Sequence, residues 1–193
     1  MQPSDLTGIL EFLRAAEGLK TATRSGWTSA GEQESVAEHT WRLCLMALAL
    51  HPAFPDVDFA RLVKICIIHD LGEAIGGDVP APEQALRPGG KAADERRDLL
   101  QLLEPLPQAL RDEITALWDE YEAAESPEAR LAKGLDKLET ILQHTQGQNP
   151  DDFDYRFNLT YGRRFTADHP VLAALRALLD EETERRARES ASA

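Results

Sequence analysis

Apolar residues recur along this chain with the 3.6-residue period of an amphipathic helix, and no convincing two-residue alternation of a strand accompanies them. Helix-start and helix-stop residues divide this pattern. Ser35 and Glu38 are spaced as a capping box, Ser126 precedes Pro127, and two glycines at positions 76 and 77 end the third apolar run. The pattern predicts seven helices, at about residues 5–17, 36–50, 58–74 (or from 56), 91–104, 107–125, 127–146 and 170–188.

Two segments between these helices lack the helical period. Residues 21–34 are polar and contain an isolated Arg24 and Trp27. Residues 147–168 mix aromatic and charged residues around at most a short helix. Neither segment is a linker long enough to separate domains, and no internal repeat is present. The sequence therefore predicts a single all-α domain over residues 1–193.

Composition and charge narrow the possible partners. The chain is 42% hydrophobic and 28% charged, as in ordinary globular proteins, and its formal net charge is −13 at pH 7. An acidic surface disfavours nucleic-acid polymers and anionic membranes, whereas a bound metal ion could still attract a small anion. With no apolar run of about 20 residues and no signal-like start, we expect a cytoplasmic protein whose Cys44 and Cys66 are free thiols.

The candidate chemistry begins at His69 and Asp70, which follow four consecutive apolar residues at 65–68. On a continuous helix the two side chains splay to either side of one face, and Glu73 lies between them one turn later. A divalent cation held by imidazole and carboxylate would compensate for burying these groups. A lone His-Asp pair is more often a helix-end pair, so the metal interpretation requires further ligands from elsewhere.

Two further residues could supply those ligands. His39 lies in the first turn after the Ser35 cap, where a satisfied core histidine is the commoner case. Asp136 flanks the apolar stripe of the 127–146 helix, where an uncompensated carboxylate is poorly placed, although Lys137 could be an ordinary salt-bridge partner. The four candidates occur along the chain in the order His39, His69, Asp70 and Asp136.

This order resembles the H…HD…D pattern of the HD-domain metal-dependent phosphohydrolases. The segments SVAEH (35–39) and HDLGEAIGGDVPAP (69–82) are similar to those of the 5′-deoxynucleotidases in that superfamily. The resemblance implies a single HD domain, a helical bundle with a core at about 9–146 and a C-terminal loop and helix at about 147–188. It also implies one central divalent ion, which would be Mn, Fe, Co, Ni or Zn in preference to Mg. The ligands it implies are His39, His69, Asp70 and Asp136.

The resemblance assigns further roles around that ion. Glu73 would orient or deprotonate the attacking water, with a supporting hydrogen bond to His69 as the alternative, and Asp78 would line the catalytic pocket. Arg24 would bind the substrate phosphate, and Trp27 would wall the sugar or base pocket. The two residues that separate Arg24 from Trp27 depart from part of the family, and packing alone is the alternative for this pair.

The activity implied is release of phosphate from (deoxy)nucleoside 5′-monophosphates by metal-activated water, in an enzyme that forms a homodimer. Leucine-rich faces such as ALRALLD (174–180) could supply the dimer contact. No histidine lies between Asp70 and Asp136, and this favours one metal and hydrolysis over the oxygen chemistry of two-metal relatives. Two alternatives stay open: hydrolysis of another small phosphoester or a nucleoside triphosphate, and a non-catalytic metal- or nucleotide-binding scaffold.

Overall fold

The computed structural model describes residues 2–79 and 91–191, and helices dominate both ranges, which confirms the predicted all-α class. Pro80 and Pro82, which contribute to the family resemblance, lie outside the described residues. Short 3-10 helices span Glu17–Lys20, His51–Ala53 and Tyr155–Leu159. The α-helices of the described ranges are α1 (Pro3–Ala16), α2 (Val36–Leu50), α3 (Phe59–Ile68), α4 (Glu73–Gly76), α5 (Lys91–Leu102), α6 (Gln108–Ala123), α7 (Pro127–Gln146), α8 (Arg163–Thr166) and α9 (Pro170–Ser190).

Helix α7 is the centre of the bundle, and its observed bounds are those predicted from the sequence. Ser126 caps it by accepting a hydrogen bond from the backbone amide of Ala129 at 3.1 Å, and Pro127 occupies its first turn. It packs against α2, α3, α6 and α9. Leu135, Leu138 and Ile141 on α7 are fully buried in the resulting core. Helix α7 therefore lies against all four of these helices at once.

The third helix is shorter than predicted. Helix α3 ends at Ile68 and does not continue to residue 74. The indole nitrogen of Trp118 donates to the carbonyl of His69 at 3.0 Å, at the point where α3 ends. The chain then forms tighter turns, in which the amide of Glu73 donates to the carbonyl of Asp70 at 3.0 Å, before α4 begins. His69 and Asp70 consequently lie at the end of a helix and not within one.

A two-stranded antiparallel hairpin occupies the segment that was predicted to be an irregular polar connection. Strand β1 (Thr23–Trp27) pairs with β2 (Gln33–Ser35), with Thr23 opposite Ser35 and Trp27 opposite Gln33. The tight connection includes Gly31, whose φ of +83° favours glycine. Strands of five and three residues are too short to show a periodic pattern, so the hydrophobic pattern does not predict them. The hairpin lies against α7 and carries Arg24 to it.

Two further predictions concern membrane-spanning helices and the two cysteines. Within the described ranges, no helix combines the length and the apolar character needed to cross a bilayer. Both thiols are free, as predicted. Burial was expected for both, and Cys66 is buried whereas Cys44 is half-buried.

Candidate metal centre and substrate cavity

A cavity of about 740 Å³ opens beside the middle of α7, within the size range of small-molecule sites. Five of the eight residues predicted for the site line it: Arg24, His69, Asp70, Asp78 and Asp136. His39 is fully buried behind this surface, and Glu73 is 1% exposed in the first turn of α4. The structure thus brings together residues that are far apart in the sequence, with Trp27 as the exception described below.

His39 projects from the first turn of α2 and has different partners at its two ring nitrogens. Nδ1 contacts the carboxylate of Glu139. An ionised carboxylate accepts hydrogen bonds and donates none, so Nδ1 carries the proton. Nε2 faces the cavity side, 3.3 Å from Oδ1 of Asp136 and 3.9 Å from Oδ2 of Asp70. Burial and Arg24 lower the pKa of His39, but Glu139 and Asp136 outweigh them and raise it to about 9. A cation binding at Nε2 would therefore displace a proton.

His69, at the end of α3, has the same arrangement. Its Nδ1 donates to the carbonyl of Cys66 at 2.8 Å, and its Nε2 lies 3.0 Å from Oδ2 of Asp70. The His39 and His69 rings are 5.6 Å apart between centroids. Both Nε2 atoms are buried, and neither forms a hydrogen bond with any residue that the structure describes. Two buried imidazoles with fixed Nδ1 protons and outward Nε2 atoms are typical of metal ligands.

Asp136, on α7, is held so that its two oxygens face different partners. Oδ2 accepts hydrogen bonds from the hydroxyl of Tyr121 at 2.7 Å and from the ammonium of Lys137 at 2.8 Å, while Oδ1 is directed toward His39. Burial raises the pKa of Asp136, but Lys137 and the two histidines together hold it well below its usual range. Asp136 is therefore a carboxylate and not a carboxylic acid.

The donor set fits a divalent transition-metal ion. Ligand atoms from His39, His69 and Asp70 all lie within 4.8 Å of one another, and Oδ1 of Asp136 approaches the same point. Two imidazole nitrogens and two carboxylate oxygens suit the ions favoured by the sequence analysis better than a dedicated Mg²⁺ site. The two unsatisfied Nε2 atoms are the observation that such an ion explains, since buried polar atoms normally have partners.

A second buried group lies behind His39 and was not found by sequence reasoning. Glu139 is fully buried and binds Arg42, whose Nε lies 2.5 Å from Oε1. Nη2 of Arg42 also lies 3.6 Å from Glu34, where burial and then Glu139 raise the pKa of the carboxyl to about 7. Glu139 follows Asp136 by three positions, so the two share a helix face, and this spacing is the one sign of it in the sequence.

Arg24 reaches the cavity from β1 and pairs with the carboxylates around it. Nη1 lies 3.2 Å from Asp70, and Nη2 donates to the Thr140 hydroxyl at 3.1 Å. Burial opposes the charge of Arg24, but Asp70, then Asp78 and other nearby carboxylates raise its pKa well above the usual value. Arg24 is therefore a permanent cation on the wall of the cavity.

Trp27 lies elsewhere. Its backbone amide donates to the side chain of Asn149 at 3.2 Å, and its carbonyl accepts from Gln143 near the end of α7. A Cβ at Gly147 would lie 1.9 Å from the same carbonyl, so this part of the hairpin packs directly on the chain after α7. Trp27 is not among the residues that line the cavity, although Arg24 and Ser25 of the same strand are.

Comparison with known proteins agrees with this geometry. A family model described as HD domain matches residues 16–176. The 5′-deoxynucleotidase HDDC2 of Danio rerio is 33% identical over 186 residues, covering 93% of this chain and 90% of the relative. The Homo sapiens protein of that name is 33% identical over 180 residues, covering 90% and 85%. The crystal structure of a "Predicted metal-dependent phosphohydrolase" from Magnetospirillum magnetotacticum MS-1 superposes with a TM-score of 0.81 at 29% identity, covering 95% and 98%. The chain belongs to the HD-domain family.

Proposed function

We propose that this protein is a single-domain, metal-dependent phosphohydrolase that releases phosphate from (deoxy)nucleoside 5′-monophosphates. The observation that carries the proposal is the pair of buried imidazoles, His39 and His69, whose unsatisfied Nε2 atoms face two carboxylates at a cavity of about 740 Å³. The relatives that cover most of this chain and are called 5′-deoxynucleotidases support the substrate class.

One divalent cation would be held by residues from α2, from the turn after α3 and from α7. When bound, it supplies positive charge to the phosphoryl oxygens and lowers the pKa of a water molecule. The N/O donor set favours Mn, Fe, Co, Ni or Zn over Mg. The proposed ligands are His39, His69, Asp70 and Asp136.

The protein's own groups would position the substrate and move the proton. Arg24 presents a planar guanidinium on the cavity wall, and such a group can bind two oxygens of one phosphate. Glu73 is buried close enough for its charge to act on Arg24, and we assign it the proton of the attacking water. Asp78 lines the cavity beside them, where it would contact water or substrate.

A metal and substrate panel tests the proposal. The full chain is freed of metal, reloaded with each of the candidate ions, and given 5′-mononucleotides, 3′-mononucleotides, nucleoside triphosphates and other small phosphoesters. We expect phosphate release from the 5′-monophosphates. Release from triphosphates or another ester alone would replace the substrate class, and no release with any metal would favour a non-catalytic scaffold.

A Glu73→Gln substitution separates catalysis from metal support. Glutamine keeps the size of the side chain but cannot accept the proton, so we expect kcat to fall by about 10²- to 10⁴-fold while KM and metal content are retained. Steady-state kinetics and metal analysis measure the three quantities. Glu120→Gln is the control, because Glu120 pairs with Arg61 away from the cavity lining. Loss of metal with activity restored by excess metal would make Glu73 a supporting group instead.

We also propose that the protein is a homodimer. Apolar side chains stay exposed along α2, where Trp41 is 67% and Leu48 is 57% exposed. In the 174–180 segment, by contrast, Leu179 is buried in the core and Leu178 is the exposed leucine. Light scattering should give twice the 21.4 kDa chain mass, and Trp41→Glu should reduce it to one chain mass. A monomeric wild type would overturn this proposal.

A further inference from the structure

Four aromatic residues of the C-terminal segment recur at every fourth position and line the outer part of the cavity. They extend from the loop before the 3-10 helix Tyr155–Leu159 into α8, and each is half-buried. The proposed chemistry uses none of them. This aromatic wall consists of Phe153, Phe157, Tyr161 and Phe165.

The backbone of the aromatic wall is held in place by α9. Arg176 is 5% exposed, and it donates to the carbonyls of Asn158 and Tyr161, both at 2.6 Å. Asn158 is fully buried, and its side-chain oxygen lies 2.9 Å from Nδ1 of His144 on α7. Because these contacts fix the backbone between the aromatic residues, the wall is formed before any ligand arrives.

The wall segment also packs directly on α7 at two points, and at each a glycine leaves room for the contact. A Cβ at Gly134 would lie 2.8 Å from the carbonyl oxygen of Phe165. A Cβ at Gly162 would lie 2.6 Å from the side chain of Lys137, and the φ of +66° at Gly162 favours glycine. The aromatic wall therefore lies against the helix that carries Asp136.

Lys137 joins the wall to the proposed metal centre. Its ammonium lies 2.8 Å from Oδ2 of Asp136 and 5.1 Å from the ring centroid of Tyr161. The Phe157 and Tyr161 rings are 5.0 Å apart between centroids, with an interplanar angle of 33°. The aromatic wall therefore begins one side chain away from the proposed metal centre. A phosphate ester bound at the centre would place its remaining part against this surface.

We propose that Phe157 and Tyr161 form the surface that binds the nucleobase of the substrate. Planar heterocycles stack on aromatic faces, and such stacking tolerates different bases. The assignment replaces Trp27, which the sequence analysis placed at the sugar or base pocket and which does not line the cavity. The assignment rests on the proposed function, because the wall can meet the base only if the phosphate of the same molecule binds at the metal centre.

Substitution of the rings by leucine tests the assignment. For Phe157→Leu and Tyr161→Leu in the metal-loaded full chain, we expect KM for deoxynucleoside 5′-monophosphates to rise between about 5- and 100-fold. KM for deoxyribose 5-phosphate, which has no base, should rise far less. Calorimetric titration of 2′-deoxyadenosine, which has no phosphate, should show the same loss of affinity in both variants. Phe157→Tyr retains a ring and should retain the wild-type affinity.

The controls separate the possible failures. Equal losses for substrates with and without a base, or unchanged deoxyadenosine affinity in both leucine variants, would overturn the assignment. So would a Trp27→Leu variant that loses base-dependent affinity while Phe157→Leu keeps it. If the wild type releases phosphate from no nucleotide, the proposed function fails, and the deoxyadenosine titration still decides whether the wall binds a base.

Discussion

Asp70→Asn is expected to lower phosphate release from deoxynucleoside monophosphates by about 10³-fold or more, at saturating metal. The Asp70 carboxylate lies 3.0 Å from Nε2 of His69 and 3.2 Å from Arg24, between the proposed metal centre and the phosphate-binding cation. Asparagine keeps the shape of the side chain but removes the negative charge that would bind the metal ion and that pairs with Arg24. Metal charge supplies several kcal/mol of transition-state stabilisation, and each 1.36 kcal/mol corresponds to about a factor of ten in rate.

Two further measurements make that result specific. Metal content after dialysis should fall in Asp70→Asn, whereas the circular dichroism spectrum should match that of the wild type. Asp56→Asn is the control, because Asp56 is an exposed carboxylate before α3 and does not line the cavity. Wild-type activity and wild-type metal content in Asp70→Asn would together remove Asp70 from the site.

Glu139→Ala is expected to destabilise the metal-free protein by about 3–5 kcal/mol, the usual effect of removing one partner from a buried ion pair. Glu139 is fully buried and contacts both Nδ1 of His39 and the guanidinium of Arg42. The high pKa of His39 means that the ring is charged at neutral pH when no metal is present. Alanine would leave the buried His39 ring and the half-buried Arg42 guanidinium without their shared counter-charge. Urea denaturation monitored by circular dichroism measures the change in the free energy of unfolding.

Glu34→Ala provides the matched comparison within the same buried group. Glu34 is 3% exposed, but its contacts with Arg24 and Arg42 are longer, at 3.7 Å and 3.6 Å. Its pKa of about 7 means that it carries only part of a charge at neutral pH. We therefore expect a smaller loss of stability than in Glu139→Ala. A larger loss in Glu34→Ala would show that the Glu139 contacts are not the main stabilising interaction of the group.

Local sequence patterns were sufficient where a helix is determined by its own residues. The bounds of α7 follow from Ser126, Pro127 and a regular apolar stripe, and the structure reproduces them. The spatial meeting of His39, His69, Asp70 and Asp136 was anticipated from the resemblance of the chain to the H…HD…D pattern of the family. Their roles as ligands stay a prediction that the metal analyses will test.

The features that sequence patterns missed depend on contacts between distant elements. The carbonyl of His69, at the end of α3, accepts from Trp118, which is 49 positions away. The position of Trp27 follows from backbone contacts with residues beyond residue 140. Arg42 and Glu139 are 97 positions apart, and no local period relates them. Tertiary partners determine these positions, and a single sequence does not name such partners.

The proposed metal ligands and the aromatic wall come from different parts of the fold, so substitutions in them have different effects. The proposed metal ligands come from α2, α3 and α7, whose buried faces form the core, so a change there affects folding as well as reaction. The aromatic wall belongs to a half-buried segment that packs on α7 and α9 and contributes none of the proposed ligands. Exchanging residues 153–165 therefore alters the surface offered to the rest of the substrate and keeps the four proposed ligands, as long as the new segment preserves the contacts with Gly134 and Lys137. A chimaera carrying that stretch from a relative should change KM for substrates that contain a base more than KM for deoxyribose 5-phosphate.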